Sequence, residues 1–580
     1  MGNSIHEMKG AEAFIESLNE HGVDHLFLNP GIDVVPIQGT IAAFRASGRR
    51  APKVILCTHE SVAVAAAHGF AMVSGRPQVV TVFQDVGTLQ GGGAIINLKY
   101  GRMPVILCAG RNPAPKRVNW LQEPFDQRRI TRDYVKWDHE IDVNENISSV
   151  LQQAFRIAST EPCGPIYLSI PHEVMTGKIG ELTVSAPIQS GRALPSDIDI
   201  EALEQAAEIL IGSENPLIMT AYSGRHPQSV ASLVDLAEML GARVLTTDLR
   251  MNFPSTHPLC PGIDAIRGGD YDHYIAEADV LLLIDYDFPG PVEKRVTPRP
   301  EARIVHVDME PFKRGKPLWS RLANVLIEAD SSKLLPVLNG IVRRKLAAKP
   351  EPRFRDRFEQ VKAENKQLRN KWDALAEKEA YQAPISTEWL CHCINEVADE
   401  DSLIVHMIPS NADSFSHQIT RTKPATLFSW GDSAGSMGWP LGAALGAKLA
   451  APDKMVINLI GDGGFIYGCP VAALWAASVY KAPFLTVIFN NQSYYSIKEL
   501  IRMNYGEKSV SGEMGFEVGT DIKTPPDYSM VAQSCGAYGQ RVDDPSDLLP
   551  ALKSAADRVR KGTAAVLDVR ISNSPHSKNV

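Results

Sequence analysis

The sequence lacks the long apolar run and the leader that would assign it to a membrane or a secretory route. A membrane helix needs roughly 18 to 20 uninterrupted apolar residues, and the best candidates, Val62–Val73 and Val280–Ile284, are too short or carry His68. Residues 1–20 do not show the basic-then-apolar order of a signal peptide. We therefore expect no membrane partner and a cytoplasmic location.

The chain also lacks an excess of basic charge. It has 59 Lys and Arg against 67 Asp and Glu, a net charge of −8, with no long run of Lys or Arg. This balance argues against a protein that coats nucleic acid. With 44% apolar and 22% charged residues, the composition is that of a globular chain with ample core, and it excludes wholesale disorder.

Cysteine is sparse and shows no zinc-binding spacing. The eight cysteines are scattered without a Cys-x-x-Cys pair. Cys391-His392-Cys393 is too tight for an ordinary zinc knuckle, so we expect it on a helix among core residues. Scattered thiols that behave as small apolar side chains fit a reducing compartment.

Three blocks of alternating strands and helices follow one another along the 580 residues. Such alternation predicts an α/β fold with three doubly wound parallel-sheet domains. Block one reads strand, helix, strand over Lys53–Cys57, Ser61–Ser74 and Gln78–Phe83, and the first and third blocks resemble each other in plan. The predicted domains are 1–183, 197–345 and 384–580, with a charged, solvated connecting helix in 346–383.

Polar side chains follow two strands of the third block. The strand ending near Ile460 leads into Gly461-Asp462-Gly463-Gly464, and the strand after the next helix ends in Asn490-Asn491. Because ligands bind at the carboxyl ends of strands in open parallel sheets, this places a carboxylate and a carboxamide at one crevice. Read alone, the Gly-Asp-Gly motif is more often a tight strand-to-helix turn of no function, and the Asn490-Asn491 pair at the next strand end is what favours a site.

These residues suit a magnesium ion that binds oxygens of both the protein and a diphosphate. Asp462, the Asn491 side chain and the Ser493 backbone carbonyl would supply three oxygens, and phosphate and water the rest. Gly461, Gly463 and Gly464 would allow close backbone approach. A P-loop is excluded because its Lys-Ser/Thr is missing, and a dinucleotide fingerprint is excluded because Ile466 stands where glycine is needed.

These motifs resemble the thiamine-diphosphate enzymes, the family of acetolactate synthase, benzoylformate decarboxylase and pyruvate decarboxylase. Further stretches of likeness extend the resemblance over nearly the whole chain: Pro165–Pro171, Ile304–Pro311 and Pro526–Val542. The resemblance implies pyrimidine-binding, central and diphosphate-binding domains, with thiamine diphosphate and Mg²⁺ as cofactors. One departure is that the segment between Gly463 and the next helix is two residues longer than the benzoylformate decarboxylase pattern.

The resemblance also implies roles for individual residues. Met437 would support the bent cofactor, Gly435 and Ser436 belong to the same loop, and Ser410 and Asn411 lie where relatives bind diphosphate. Glu60, between a buried strand and an alanine-rich helix, would bond the pyrimidine ring, and as a bare sequence feature it would be a carboxylate favoured at a helix N-terminus. Gln122 resembles a cofactor-side glutamine of acetolactate synthase.

Four residues are candidates for substrate contact. They are Asn29 in an early Pro-Gly turn, His59 beside Glu60, and Phe83 and Gln84 at a strand end where benzoylformate decarboxylase carries a histidine. A phenylalanine cannot transfer protons, so that enzyme's proton relay is not expected here. For His59 a purely structural hydrogen bond is an equal alternative.

The resemblance implies a 2-oxo acid or aldehyde substrate and an enamine intermediate whose fate decides the reaction. The absent histidine at Phe83 and the presence of Gln122 favour carboligation of the acetolactate synthase type. The alternatives are non-oxidative 2-oxo acid decarboxylation, a hydroxyacyl or benzoin-type lyase, and a catalytically silent cofactor-binding paralogue. FAD is not expected, because residues 286–290 differ from the flavin-pocket pattern of acetolactate synthases.

Relatives set the glutamate of one subunit against the metal site of another. The resemblance therefore implies a homodimer or homotetramer with active sites at the subunit interface. The glycine-bearing stretch Leu500–Pro526 is either a mobile cover over the substrate or a surface loop of no function.

Overall fold

The computed structural model describes residues 8–117, 126–178, 198–264, 271–287, 297–312, 323–430, 435–506, 510–514 and 517–572. Within these residues the chain forms three six-stranded sheets, and every strand pairs in parallel with its neighbours. This confirms the predicted fold class.

The N-terminal sheet has the strand order β2-β1-β3-β4-β6-β5. Its strands are β1 (His25–Leu28), β2 (Lys53–Leu56), β3 (Gln78–Val82), β4 (Val105–Arg111), β5 (Trp137–Glu140) and β6 (Ile166–Pro171). Its helices are α1 (Gly10–Glu20), α2 (Val35–Ala46), α3 (Glu60–Ser74), α4 (Gln84–Gln90), α5 (Gly92–Tyr100), α6 (Ala114–Arg117), α7 (Ile147–Ser159) and α8 (His172–Thr176).

The central sheet has a different order, β12-β11-β10-β7-β8-β9, which extends to both sides of its first strand. Its strands are β7 (Pro216–Thr220), β8 (Arg243–Thr247), β9 (Ile263–Asp264), β10 (Val280–Ile284), β11 (Arg303–Asp308) and β12 (Val325–Glu328). Its helices are α9 (Ile200–Ile211), α10 (Pro227–Leu240), α11 (Asp272–Glu277) and α12 (Ser331–Ala348).

The C-terminal sheet, β14-β13-β15-β16-β18-β17, repeats the strand order of the N-terminal sheet. Its strands are β13 (Leu403–Met407), β14 (Leu427–Phe428), β15 (Val456–Gly461), β16 (Leu485–Asn490), β17 (Tyr538–Val542) and β18 (Ala565–Arg570). Its helices are α14 (Thr387–Val397), α15 (Ala412–Gln418), α16 (Trp439–Ala450), α17 (Asp462–Tyr467), α18 (Pro470–Val479), α19 (Tyr495–Tyr505), α20 (Val510–Met514), α21 (Tyr528–Ser534) and α22 (Pro545–Arg560). The expected likeness in plan between the first and third blocks is confirmed.

The charged segment between the central and C-terminal sheets forms one long helix, α13 (Arg353–Glu379). One face of it is buried through Phe354, Val361 and Trp372, and Arg357 donates to the Leu240 carbonyl oxygen. The interpretation of this segment as solvated therefore holds for its outer face alone, because the inner face packs on neighbouring domains.

Two helices rich in small residues join the N-terminal and C-terminal domains. On α3 and α16, Gly69 faces Ala443 and Gly446 faces Ala66. A Cβ at Gly446 would lie 1.8 Å from the Ala66 carbonyl oxygen, and one at Gly69 would lie 2.0 Å from the Ala443 carbonyl oxygen. The backbones thus approach as closely as glycine permits, and this contact sets the two sheets against each other.

The Cys391-His392-Cys393 segment lies on a helix among core residues, as predicted. None of the eight cysteines, all within the described ranges, forms a disulfide, and Cys391 and Cys393 are fully buried on α14. Among the described residues, no helix combines the length and apolar character that crossing a membrane requires.

Candidate active site

Two neighbouring strands of the C-terminal sheet carry the predicted metal ligands. β15 and β16 pair directly, with Gly461 opposite Phe489, so Asp462 and Asn491 follow adjacent strand ends. Asp462 is 1% exposed, while Asn491 and Ser493 are each 6% exposed. The sheet topology therefore brings these three residues to one buried place.

The Asp462 carboxylate is buried with spare bonding capacity. Burial raises the pKa of Asp462 to about 6, although backbone N–H groups of Gly463, Gln492 and Ser493 directed at the carboxylate act to lower it. Its Oδ2 atom is buried and has no hydrogen-bond partner. A buried carboxylate oxygen without a partner is costly, and a cation or a protonated ligand would satisfy it.

The turn after β16 distinguishes its two asparagines. Asn490 donates from Nδ2 to Asp568 Oδ1 at 2.7 Å, so its side chain supports the sheet. The Asn491 Oδ1 accepts from the Ser493 backbone N–H at 3.0 Å, and Gln492 between them has a left-handed φ of +56°. Ser493 Oγ is buried without a partner. This turn fixes the Asn491 side chain after the strand that neighbours the one preceding Asp462.

These residues fit a magnesium ion bound with phosphate oxygens. The described part of the chain contains no group of three or more His, Cys, Asp or Glu side chains that could hold a metal. One carboxylate, one carboxamide and a backbone carbonyl are the sparse protein set that magnesium uses when a substrate phosphate completes its shell. The partnerless oxygen of Asp462 is the observation that supports this fit.

The glycines and the neighbouring strand end complete the crevice. A Cβ at Gly461 would meet nothing within 4 Å, so this backbone is open to a ligand, whereas one at Gly463 would lie 2.5 Å from the Tyr494 ring. A Cβ at Gly464 would lie 2.9 Å from Met407 Cε. Ser410 and Asn411 follow β13, and Ser410 Oγ is 2.7 Å from Ser496 Oγ.

The loop before α16 is held by a residue that the sequence did not reveal. Buried Asn97 donates from Nδ2 to the Ser436 carbonyl oxygen at 3.0 Å and accepts from the Ser436 N–H at 3.3 Å. Met437 packs partly buried against the core, and Gly435 is exposed. Residues 431–434 of this loop lie outside the described ranges. A polar residue on the apolar face of α5 was the available signal for Asn97.

Glu60 begins α3 and is 7% exposed. Asn29 donates from Nδ2 to Glu60 Oε1 at 2.9 Å, and a Cβ at Gly87 would lie 2.9 Å from the same oxygen. The ends of β1, β2 and β3 bring these residues together. Asn29, predicted as a substrate contact, thus orients the carboxylate, and no hydrogen bond among the described residues joins Glu60 to the Asp462 cluster.

Phe83 and Gln84 lie in a tightly packed turn after β3. A Cβ at Gly31 would lie 2.1 Å from Phe83 Cδ2, and Gln84 has a left-handed φ of +43°. Asp33 Oδ2 accepts from the backbone N–H groups of Gln84 at 3.3 Å and Gly110 at 2.9 Å, and burial raises the pKa of Asp33. Sequence reasoning missed Asp33, whose partners are remote in sequence.

Of the remaining predicted residues, some lie within the described ranges and one lies outside them. His59 precedes α3, and its Nδ1 accepts from the Ser61 backbone N–H at 3.2 Å. Gln122 lies outside the described ranges, so its role stays a prediction. In the 500–526 stretch, Tyr494 N–H donates to the Thr520 carbonyl oxygen at 2.8 Å, and Arg502 pairs with buried Glu517 at 2.7 Å. The described part of that stretch is therefore folded back beside the Asn491 turn.

Three parallel-sheet domains, with buried polar side chains at neighbouring strand ends of the last, define a class of cofactor-dependent α/β enzymes. Models of the thiamine pyrophosphate enzyme family match each domain in turn: the N-terminal TPP binding domain at 8–130, the central domain at 203–335, and the C-terminal TPP binding domain at 411–569. The chain belongs to the thiamine pyrophosphate enzyme family, as the sequence motifs predicted, and it is a thiamine-pyrophosphate-dependent enzyme.

Relatives of two activities match over almost the full length. A benzoylformate decarboxylase of Pseudomonas aeruginosa is 28% identical, with 94% of this chain and 96% of that protein covered. A probable acetolactate synthase large subunit of Methanocaldococcus jannaschii is 26% identical, with 94% and 90% covered. The structure of a thiamine diphosphate-dependent 4-hydroxybenzoylformate decarboxylase of Rhodococcus jostii RHA1 has a TM-score of 0.80 at 22% identity, with 98% of this chain and 100% of that chain covered, which supports the fold.

Proposed function

We propose that this protein forms a carbon–carbon bond from a 2-oxo acid, using thiamine diphosphate and Mg²⁺, in the manner of acetolactate synthase. The partnerless buried oxygen of Asp462 beside the Asn491 turn carries the cofactor part of this proposal. When bound, thiamine diphosphate supplies an electron sink that allows the bond between a carbonyl carbon and a carboxylate to break.

The residues divide the work between two strand-end clusters. Asp462, Asn491 and the Ser493 carbonyl would hold Mg²⁺ and the diphosphate, with Gly461 open to the phosphates. Met437 would support the bent cofactor. Glu60 would hydrogen-bond the pyrimidine ring, and Asn29 keeps that carboxylate oriented and shielded from water.

The two clusters belong to different domains, and we propose that a second copy of the chain brings them together. Both domains expose large apolar side chains in the helices and turns that follow these strand ends. Ile32 is 76% and Leu89 64% exposed in the N-terminal domain, and Tyr467 is 55% and Ile497 48% exposed in the C-terminal domain. Apolar patches of this kind are typical of subunit interfaces, which supports a homodimer or homotetramer.

The strand end at Phe83 favours carboligation. Phe83 packs against Gly31, and no imidazole stands at this position to protonate an intermediate. A side chain that offers no proton here would favour transfer to a second carbonyl over protonation. Incubation with pyruvate alone, with benzoylformate alone, and with each plus an acceptor aldehyde tests this. We expect a hydroxyketone or acetohydroxy acid as the main product, and an aldehyde as sole product would contradict carboligation.

Non-oxidative decarboxylation of an aryl 2-oxo acid is the second candidate. Its support is the full-length similarity to a benzoylformate decarboxylase at 28% identity. In the same incubations this reading predicts benzaldehyde from benzoylformate as the only product. A hydroxyacyl or benzoin-type lyase would be recognised by cleavage of a hydroxyketone. A silent paralogue is disfavoured because Glu60, Asp462 and Asn491 are all present.

Other expectations remain predictions. They are the boundaries 1–183, 197–345, 346–383 and 384–580, the cytoplasmic location, the role of Gln122 and the absence of flavin. A flavin absorbance band in the purified protein would contradict the last of these.

A further inference from the structure

A cavity of about 380 Å³ lies between the N-terminal and C-terminal domains, beside the Met437 loop. Its N-terminal wall includes His59, Ser61 and Asn97, and its C-terminal wall includes Met437 and Cys469. A thiol, an imidazole and a hydroxyl therefore face one space.

The backbone fixes the position of the Cys469 thiol. Cys469 has a left-handed φ of +51° and directly precedes Pro470, the first residue of α18. On its other side Gly468 packs so tightly on Gly438 that a Cβ at Gly438 would lie 2.3 Å from Gly468 Cα. A non-glycine residue keeps such a φ when its surroundings determine it. Cys469 is thus held at the cavity wall.

His59 and Ser61 hydrogen-bond this thiol from the opposite domain. The side chains of His59 and Ser61 each form a hydrogen bond with the side chain of Cys469. His59 Nδ1 accepts from the Ser61 N–H at 3.2 Å and lies 2.8 Å from Ser61 Oγ. The hydrogen bond with His59 lowers the pKa of Cys469, and the same bond, together with the charge of nearby Glu60, raises the pKa of His59. Both shifts favour a thiolate beside an imidazolium.

Among the described residues, no other cysteine lines this cavity. Six of them are buried, and Cys163 is the second thiol that is partly exposed. Burial raises the pKa of Cys57 to about 12 and that of Cys260 to about 11. Because the thiolate is the reacting form, these buried thiols are inert, and Cys163 is the matched internal comparison.

We propose that Cys469 is a modification site for small organic disulfides, which reach it through the cavity and react with it assisted by His59. The Cys469 sulfur attacks one sulfur of the disulfide, a new S–S bond forms, and the original S–S bond breaks. The leaving thiolate takes the proton that His59 received from Cys469. The adduct would occupy the cavity next to Met437. Disulfide exchange at Cys469 would therefore affect the space available to the Met437 loop.

The test uses the full-length protein and bis(2-hydroxyethyl) disulfide, with peptide mass mapping of all eight cysteines over time. At pH 7 we expect Cys469 to be modified at least about ten-fold faster than Cys163. Between about pH 6.5 and 8.5 the Cys469 rate should rise less steeply than the rate of free cysteine with the same reagent, because more of Cys469 is already ionised. A Cys469 rate equal to that of Cys163, together with a pH slope equal to that of free cysteine, would overturn the proposal.

Two variants distinguish the effect of His59 on the Cys469 rate from the effect of solvent exposure. His59→Asn keeps an acceptor for the Ser61 N–H, since asparagine is a good residue before a helix, and should slow Cys469 by about ten-fold while Cys163 is unchanged. Cys469→Ser should abolish the fast phase. A His59→Asn protein with an undiminished Cys469 rate contradicts the role of His59. If the buried cysteines of that variant react with the reagent, the variant is misfolded. The pH dependence of the Cys469 rate in the wild-type protein is then the test of the proposal. None of these readouts depends on thiamine diphosphate, so the result is independent of the proposed function.

Discussion

At the scale of single residues, the main tension lies at Asp462. A carboxylate this deeply buried costs free energy unless a partner compensates it, and backbone N–H groups compensate only part of that cost. Oδ2 remains without a partner. The protein therefore carries at rest an electrostatic cost that a bound cation would remove.

Replacing Asp462 should separate cofactor binding from stability. Asp462→Asn should weaken Mg²⁺-dependent binding of thiamine diphosphate by at least about 30-fold, since it removes a charged ligand. The same change should raise the melting temperature of the cofactor-free protein, because a buried carboxylate without a partner is removed. Calorimetric titration and thermal melts measure the two effects. Asp543→Asn, an exposed change in the same domain, should alter neither, and unchanged binding in Asp462→Asn would exclude the proposed metal site.

Glu60 should act on turnover without affecting binding. Glu60→Gln keeps the shape of the side chain and an oxygen that can accept from Asn29. We expect cofactor binding within about two-fold of wild type and turnover lower by at least about 100-fold, the usual contribution of a positioned acid–base group. Steady-state rates with saturating cofactor measure this. Turnover close to that of the wild-type protein would remove Glu60 from the mechanism.

Which site residues could be predicted depends on where their partners lie in the chain. Asp462 and Asn491 follow strands that pair directly, so the parallel-sheet rule places them together. Asn97 holds Ser436 from 339 residues away, and Asp33 holds Gln84 across 51 residues. No local pattern encodes such pairs, and the same is true of Cys469 and His59.

At the scale of elements, the strand, helix and strand predicted in the first block begin and end within one residue of their observed bounds. In the third block, α17 begins at Asp462 although the Gly463-Gly464 pair is unfavourable in a helix. Its first turn is nevertheless helical, because Gly463 packs under the Tyr494 ring where a larger residue would collide. Tertiary packing here overrides a local propensity.

The contact between α3 and α16 should be intolerant of added atoms. Gly446→Ala places a methyl group 1.8 Å from the Ala66 carbonyl oxygen, so the helices must separate. We expect a loss of about 1 to 3 kcal/mol, typical of overpacking. Gly340→Ala on α12, where a Cβ meets nothing within 4 Å, should instead stabilise by about 0.5 to 1 kcal/mol. Urea unfolding of both variants tests the contrast, and equal effects would show that the two helices do not meet so closely.

At the scale of the whole molecule, the identical strand orders of the N-terminal and C-terminal sheets set α3 and α16 in equivalent positions. Each is the helix that leaves the second strand of its sheet and leads to the third. A buried histidine, His68, lies in the contact between these two helices, where its Nδ1 accepts from Trp439 Nε1 at 3.0 Å.

His68 should make this domain contact sensitive to acid. Burial, and then the charge of Arg250, lowers the pKa of His68 from 6.5 to about 3. The unfolded chain therefore binds a proton in the window between these values that the folded chain does not, and stability falls as the pH decreases through it. The slope from this one group is at most about 1.4 kcal/mol per pH unit.

Other buried groups act in both directions, so only a difference between variants isolates His68. Burial lowers the pKa of His406 to about 4, which adds to the acid sensitivity. Burial raises the pKa of Asp248 to about 6, and that shift opposes it because the folded chain there takes up the proton first. His68→Gln keeps an acceptor for Trp439 and cannot be protonated, so its urea unfolding free energy should change less between about pH 6.5 and 4 than that of the wild-type protein. His172→Gln, at a partly exposed histidine of α8, should retain the wild-type slope. Parallel curves for the wild-type and His68→Gln proteins would mean that His68 is not neutral and buried in the folded state.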